Sequence, residues 1–424
     1  MVLMNIPLGE QLPSLLTSLP GPTSRQWIDR LAQRECPAIT ARRARRAASL
    51  GAASDDPIVW SEAAGANVVD VDGNVLIDMT AGFGVASVGH RNGAVVAAGQ
   101  AQLGRLPHAM GDAFPDPQRI RLLERLSELT GLDRTILGSS GSDAVEAALK
   151  TARMATGRDG VVAFTASYHG LAYGVLATTG YKEASFKAPF AGQLGQHVRR
   201  AAFGGALPDL SDVGAVLVEP IQGRGGVRVP PPGWLAGLID SAHAAGAVVI
   251  FDEIYTGFGR TGGWFAFQHA DLGGRRPDLL CVGKGMAGGY PISACVGSAA
   301  VMDAWGASRG EAIHTQTFLG NPVGSAMALA AIAEAERLLP RVSAVGGWLR
   351  GELEGRGLVV RGRGLLLGVE LSESLAVSRS LLEQGYIALP AGESAEVLAL
   401  TPPLMITQRQ LSGFLSALDV ALAG

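Results

Sequence analysis

Four short apolar runs constrain this chain more than any other feature. Residues 161–164 (VVAF), 215–218 (AVLV), 247–251 (AVVIF) and 279–282 (LLCV) show no alternation of polar and apolar side chains. A strand with one face in water alternates, so runs of this kind belong to strands covered on both faces. Between the second and third, residues 233–245 form an amphipathic pattern that follows Pro230-Pro231-Pro232 and stops at Gly246, which reads as a helix. Strand, helix and strand in that order make a crossover unit and imply a parallel sheet with helices on its faces.

Around that centre the pattern changes. Residues 1–24 are punctuated by Pro and Gly and read as an extended lead-in; residues 25–53 look helical. The latter carry Arg42, Arg43, Arg45 and Arg46, read as a solvated helix face in preference to an anion site. Residues 66–78 read as two strands around a turn at Asp72-Gly73-Asn74. From Leu319 a long Ala-rich helix is expected to about Leu339, followed by a smaller mixed tail. With 424 residues, the chain has mass for two or three domains.

Several function classes are set aside by composition. Lys+Arg is 35 and Asp+Glu is 38, a net charge of −3, which argues against a general nucleic-acid or anionic-membrane binder. No uninterrupted apolar run approaches the roughly 18 residues of a membrane span. Cys36, Cys281 and Cys295 show no C-x-x-C spacing, and the N-terminus lacks a basic stretch and carries Glu10, so a cytoplasmic protein is expected. The seven histidines show no H-E-x-x-H, so no metal site is expected, and no G-x-S-x-G marks a hydrolase.

Glycine is the one outlying count, 58 residues, about twice the usual share. Many of these glycines gather where the apolar runs end. Residues 137–150 (LGSSGSDAVEAALK) lead small residues into a helix, with Asp143 and Glu146 at capping-box spacing and Gly157 beyond its end. Such a loop suits a phosphate, or is an ordinary helix entry. Glu219 opens EPIQGRGG after the second run. Asp252 closes the third, placed either to pair with a cationic ring nitrogen or to form a structural cap or salt bridge. Lys284, one of only four lysines, follows the fourth run between glycines. Burial lowers a lysine pKa, and an amine so tuned serves covalent catalysis; a surface lysine on a glycine loop is the alternative. Glu219, Asp252 and Lys284 all fall at ends of strands of one predicted sheet.

At this point the sequence resembles the class III (ornithine/GABA-type) aminotransferases of pyridoxal phosphate (PLP) fold type I. The segments that carry the resemblance are GSSGSDAVEAALKTAR, Tyr168-His169-Gly170, EPIQGRGG, FDEIYTGFGRTG, VGKGMAGGYPISA, HTQTFLGNP and VRGRGLLLGVEL, spread over roughly residues 40–422. The resemblance implies an α/β fold of the aspartate aminotransferase type. Its large domain has a mostly parallel sheet flanked by helices, with a smaller α+β domain beside it. The implied division is an N-terminal segment 1–85 belonging to the small domain, a large PLP-binding domain 86–318 and a C-terminal small domain 319–424. It further implies PLP as cofactor, Lys284 as the Schiff-base lysine and proton carrier, and Asp252 as partner of the pyridinium nitrogen. Ser140, Gly141 and Ser142 match the phosphate loop. Tyr168 matches the aromatic stacked on the ring, with His169 beside it, and Ile254 the residue on the opposite ring face. Tyr255 stands near the phenolic oxygen, where some relatives carry Gln. Thr317 matches a threonine that reaches the phosphate of a neighbouring subunit, which implies a homodimer with shared sites.

Departures from the family pattern concern substrate. Relatives often place arginine after the aromatic-His-Gly and again three residues before a C-terminal Pro-Pro; here these positions hold Leu171 and Ala399. Leu and Ala cannot make a bidentate contact to a carboxylate. Glu219 is then expected to be unengaged and able to receive a cationic or amine group, Phe83 to narrow the pocket, and Arg224 to be a supporting cation. An apolar or amine-bearing donor with a small oxo acid as acceptor is the expectation. The expected activity is a ping-pong aminotransferase, with an amino-acid racemase, epimerase or aminomutase as the alternative. A phosphate-ligand binding module without catalysis is the more distant one.

Overall fold

A computed structural model of the chain describes residues 6–37, 57–269, 272–307 and 310–423. Strands β1 (Trp60–Ala64), β2 (Asn67–Asp70) and β3 (Val75–Asp78) form an antiparallel meander. The turn between β2 and β3 lies at Asp72-Gly73-Asn74 as expected, with Gly73 at φ 85°. Seven strands follow: β4 (Arg134–Gly138), β5 (Gly160–Phe164), β6 (Val198–Ala201), β7 (Val213–Val218), β8 (Val248–Asp252), β9 (Leu279–Val282) and β10 (Ser293–Gly297). They form one sheet in the order β4-β10-β9-β8-β7-β5-β6, in which only β10 opposes the other strands. The last strands are β11 (Val360–Arg363), β12 (Leu366–Glu370), β13 (Tyr386–Ile387), β14 (Leu389–Ala391) and β15 (Val397–Leu400). β11-β12-β15-β14 make an antiparallel sheet, while β13 adds in parallel to β3 and so ties the tail to the N-terminal meander.

The four apolar runs are β5, β7, β8 and β9, buried along their whole length. Their residues divide by a period of two between two cores. Val216, Val218, Val249, Phe251, Leu280 and Val282 pack into one, and Ala215, Leu217, Val248, Ile250, Leu279 and Cys281 into the other. Two apolar faces per strand are what remove the polar alternation from the sequence. The helix expected at 233–245 is Trp234–Ala244, on the first of these faces.

The 25–53 helix differs from expectation. A helix runs from Pro22 to Ala32, with Pro at its start; the basic stretch at Arg42–Arg46 lies outside the described residues. The Ala-rich helix is longer than expected. It spans Pro322–Glu354, 33 residues, passing through Pro340, and is about 50 Å long at 1.5 Å per residue. A proline inside a helix costs about 3 kcal/mol and strips one carbonyl of its donor. Pro340 is exposed, and so is Glu336, whose carbonyl is the one stripped, so water can satisfy it. The first half buries Val323, Ala328, Ala331 and Ile332, and the second Val342, Leu349 and Leu353, so packing at both ends holds one rod. No helix among the described residues is long and apolar enough to cross a membrane.

Candidate active site

Parallel strands put their following loops at one edge, and β7, β8 and β9 are neighbours. Val218 pairs with Phe251 and Asp252 with Cys281, so Glu219, Asp252 and Lys284 leave the sheet side by side. Asp252 is buried. Its Oδ2 accepts a hydrogen bond from Nδ1 of His169 at 2.7 Å, and its Oδ1 accepts the N–H of Ile254 at 3.1 Å. The ring of His169 is also buried, and its Nε2 has no partner. His169 is thus the residue that aims the Asp252 carboxylate, a contact across 83 positions of sequence.

Lys284 begins a short turn immediately after β9, with Gly283 in between at ψ −97°. Its Nζ lies 4.4 Å from the centroid of the Tyr255 ring. Burial pushes the Lys284 amine below its ordinary pKa, Asp252 and Glu219 oppose that shift, and Arg224 adds to it. Glu219 is not unengaged. Its two oxygens accept the N–H groups of Tyr168 at 2.8 Å and Gly223 at 3.1 Å, and burial pushes its pKa up to about 7. Glu219 therefore pins the aromatic loop to the glycine loop, and only its second lone pairs remain for a ligand.

The Gly/Ser loop enters the helix Gly141–Thr156. The capping box is one turn earlier than the expected Asp143/Glu146 pair: Ser140 Oγ accepts from Asp143 N, and Asp143 accepts from Ser140 N. A small hydroxyl residue at N-cap with an acid three residues later completes the reciprocal bonds, which Asp143 at N3 already supplies. Ser140 Oγ is an acceptor in the cap and keeps its O–H to donate, and the first-turn donors of Gly141 and Ser142 point out of the helix end. A Cβ on Gly170 would fall 2.1 Å from Ser142 Oγ, and one on Gly141 would press on Ile254 at 3.0 Å. Glycine at both positions lets these three segments close on one another.

Phe83 sits at the rim, 64% exposed, in a stretch where Ala81, Gly82, Phe83 and Gly84 all have positive φ. Two of these carry a Cβ, so the left-handed turn needs outside support, of order 1–2 kcal/mol for each. Asp78 supplies it, accepting from Thr80 N, Thr80 Oγ1, Gly82 N and His90 Nε2. Gly84 is pressed on Tyr255: a Cβ there would lie 2.6 Å from the ring. Tyr255 OH bonds Thr401 Oγ1 at 3.2 Å, and Thr401 in turn donates to Thr80 O. Thr317 is exposed, and its neighbour Gln316 accepts from Ser139 Oγ at 3.2 Å.

Sequence reasoning missed the supports. Glu253, next to Asp252, is fully buried and accepts from Thr256 Oγ1, Ala266 N and Phe267 N, with its pKa pushed up to about 7 by burial. Arg260 is equally buried and donates to the carbonyls of Pro402 (2.5 Å) and Leu365 (3.2 Å) and to Ser87 Oγ (3.4 Å). Their only local signal is a charged residue inside an otherwise apolar and glycine-rich segment.

The model of the family described as aminotransferase class-III matches residues 50–422. The chain belongs to the class-III aminotransferases. Acetylornithine aminotransferase of Mycobacterium tuberculosis is 39% identical over 382 residues, covering 86% of this chain and 92% of the relative. The 4-aminobutyrate aminotransferase of the same organism is 34% identical over 463 residues, covering 98% of each. Among solved structures, the ornithine aminotransferase of Toxoplasma gondii superposes with a TM-score of 0.82 at 29% identity, over 96% of each chain. Another structure of that enzyme is described with PLP partly occupying its active site, at 31% identity and a TM-score of 0.79, covering 87% of this chain and 90% of that one. This class-III aminotransferase is a PLP-dependent enzyme of fold type I. Nothing in these likenesses favours the racemase or aminomutase alternative.

Proposed function

We propose that Lys284 is the covalent anchor of PLP and the proton carrier of amino-group transfer from an amine or amino acid to an oxo acid. The observation that supports this most is the convergence of Lys284, Asp252 and Glu219 at one sheet edge, with the amine held below its ordinary pKa. Bound there, PLP supplies a sink for the negative charge left on a substrate carbon when its proton departs. The residues fit such a group: a glycine-lined closure beside a helix N-terminus suits its phosphate, and a buried carboxylate suits its ring nitrogen.

Each side chain then has one task. Ser140, Gly141 and Ser142 hold the phosphate, Ser140 donating its O–H while its oxygen caps the helix end. Tyr168 and Ile254 flank the ring, Asp252 faces its nitrogen, and His169 donates from Nδ1 to fix Asp252. Lys284 Nζ takes and returns the proton, with Tyr255 beside it. Phe83, Glu219 and Arg224 line the substrate side. We keep the division into 1–85, 86–318 and 319–424: β13 beside β3 supports reading the N-terminal segment with the tail. Three free thiols support a cytoplasmic location.

The cofactor-loaded protein, mixed with an amine donor alone, is expected to lose its visible absorbance once, and an oxo acid is expected to restore it. Continuous inversion of an amino acid with no oxo acid present contradicts the proposal. A second copy of the chain completes the site in this reading, bringing its Thr317. Leu103, Leu106, Met110, Phe114, Ile313 and Phe318 are exposed on two adjoining segments, joined by Asn321 Nδ2 to Pro107 O and by the His108–Phe318 ring contact. Exposed apolar side chains gathered in this way mark a surface suited to a partner. Phe114→Glu is expected to shift light scattering from dimer to monomer and to lower retained PLP. A monomeric parent protein with full PLP occupancy is the opposite result.

A further inference from the structure

The loop after β7 ends in a charge that no carboxylate among the described residues pairs with. Gln222 and Arg228 exchange both backbone hydrogen bonds at 2.9 Å, and Val227 N bonds Gly223 O, so residues 222–228 form a closed turn with Arg224 at its tip. The turn is packed from below. Gln222 Nε2 donates to Thr165 O at 2.7 Å, and a Cβ on Gly225 would lie 2.4 Å from Ala166 O. Arg224 O accepts from Gly392 N, which fastens the tip to the β14–β15 connection. The backbone of Arg224 is therefore fixed.

Its side chain lies over two aromatic rings, 4.6 Å from the centroid of Tyr168 and 5.3 Å from that of Tyr181. Phe186 completes the aromatic group, with its ring 6.5 Å from Tyr168 and 6.2 Å from Tyr181. No carboxylate among the described residues forms an ion pair with this guanidinium, whereas Arg200, Arg199 and Lys187 nearby all have acidic partners. Gly223, next to Arg224, packs against the Tyr255 ring, where a Cβ would lie 2.0 Å away, and Lys284 Nζ lies 4.4 Å from the centroid of the same ring, so the turn abuts the reacting centre. Arg260, by contrast, is committed to backbone carbonyls inside the core.

Aromatic rings offer a guanidinium no strong acceptor, so the N–H groups of Arg224 remain to pair with two carboxylate oxygens. The aromatic platform also removes water from one side, which strengthens such a contact. Lys182, its Nζ 5.5 Å from the centroid of the Tyr181 ring, adds positive potential nearby. Leu171 and Ala399, by contrast, offer no charge to an anion.

We propose that Arg224 is the specificity-determining receptor for the carboxylate of the amino-acid or oxo-acid substrate. This assignment rests on the aminotransferase reading above and names the substrate class for that site: acids enter by pairing with Arg224, and carboxylate-free amines or aldehydes use the aromatic group alone.

The test compares Arg224→Met and Arg224→Lys with the parent holoenzyme. Pyruvate and 2-oxoglutarate serve as acceptors, and butanal serves as the carboxylate-free acceptor. Loss of a charged bidentate contact is expected to raise KM for the oxo acids about 10- to 100-fold in Arg224→Met. The ratio of kcat/KM for the oxo acids to kcat/KM for butanal falls about 10-fold or more, a ratio in which any change at the shared Lys284 amine cancels, and Arg224→Lys recovers part of the loss. Equal losses for acids and butanal, or no loss for either, overturn the proposal. Calorimetric titration with glutarate, an inert dicarboxylate, reads the same site without turnover. Weakening by tenfold or more in Arg224→Met supports the receptor role, and unchanged binding overturns it. A protein that binds glutarate through Arg224 but transfers no amino group would refute the aminotransferase reading and leave the carboxylate site standing.

Discussion

Lys284→Ala is expected to abolish the visible absorbance of the cofactor-loaded enzyme and to lower turnover by about four orders of magnitude, combining the loss of the covalent anchor with that of the proton carrier. The other three lysines cannot substitute. Lys150 pairs with Glu146 and Lys187 with Glu183, both on helices, and Lys182 is exposed over Tyr181. Burial disfavours the protonated amine of Lys187 as well as that of Lys284, but only Lys284 follows a strand end beside Asp252. The measurement is a spectrum of the PLP-reconstituted variant together with single-turnover kinetics, and a thermal melt close to the parent's separates lost chemistry from lost fold. A variant that keeps its covalent absorbance would remove Lys284 from the role.

Asp252→Asn is expected to lower turnover by about 10³-fold, as loss of one buried electrostatic partner of a developing charge does. The change preserves shape and removes one negative charge. Two neighbouring titrations should then move in stated directions. Asp252 opposes the downward shift of the Lys284 amine, so that amine falls further. Asp252 also raises Glu219, so the Glu219 carboxyl drops from its value of about 7. The pH dependence of the first half-reaction reports both. A rate within tenfold of the parent, with an unmoved pH profile, would mean that the carboxylate only braces His169.

Much of the centre was legible because burial on both faces leaves a local mark. β5, β7, β8 and β9 appear as unbroken apolar runs, and the residue just past each such run must lie at one edge of the sheet. Glu219, Asp252 and Lys284 could be gathered from that rule alone. The supports were not legible, because their partners are far away in sequence. His169 meets Asp252 across 83 positions, and Arg260 reaches Pro402 across 142. Asp78 reads as the polar end of a hairpin, although it holds the left-handed turn that carries Phe83. Glu219 illustrates the same limit from the other side: sequence places it at the site, but cannot show that backbone N–H groups from two loops occupy it. The long helix escaped for a different reason. Proline is a local stop signal, and only packing on both sides of Pro340 shows that it is overridden.

That proline has a mechanical consequence. The helix Pro322–Glu354 is a beam clamped at both ends, its first half in the core under the seven-stranded sheet and its second in the core of the C-terminal sheet. Pro340 lies between the two clamps, at the cross-section that lacks one longitudinal hydrogen bond. Bending stiffness is lowest there, so a load applied to either clamp concentrates as curvature at that joint, and neither core has to shear to absorb it.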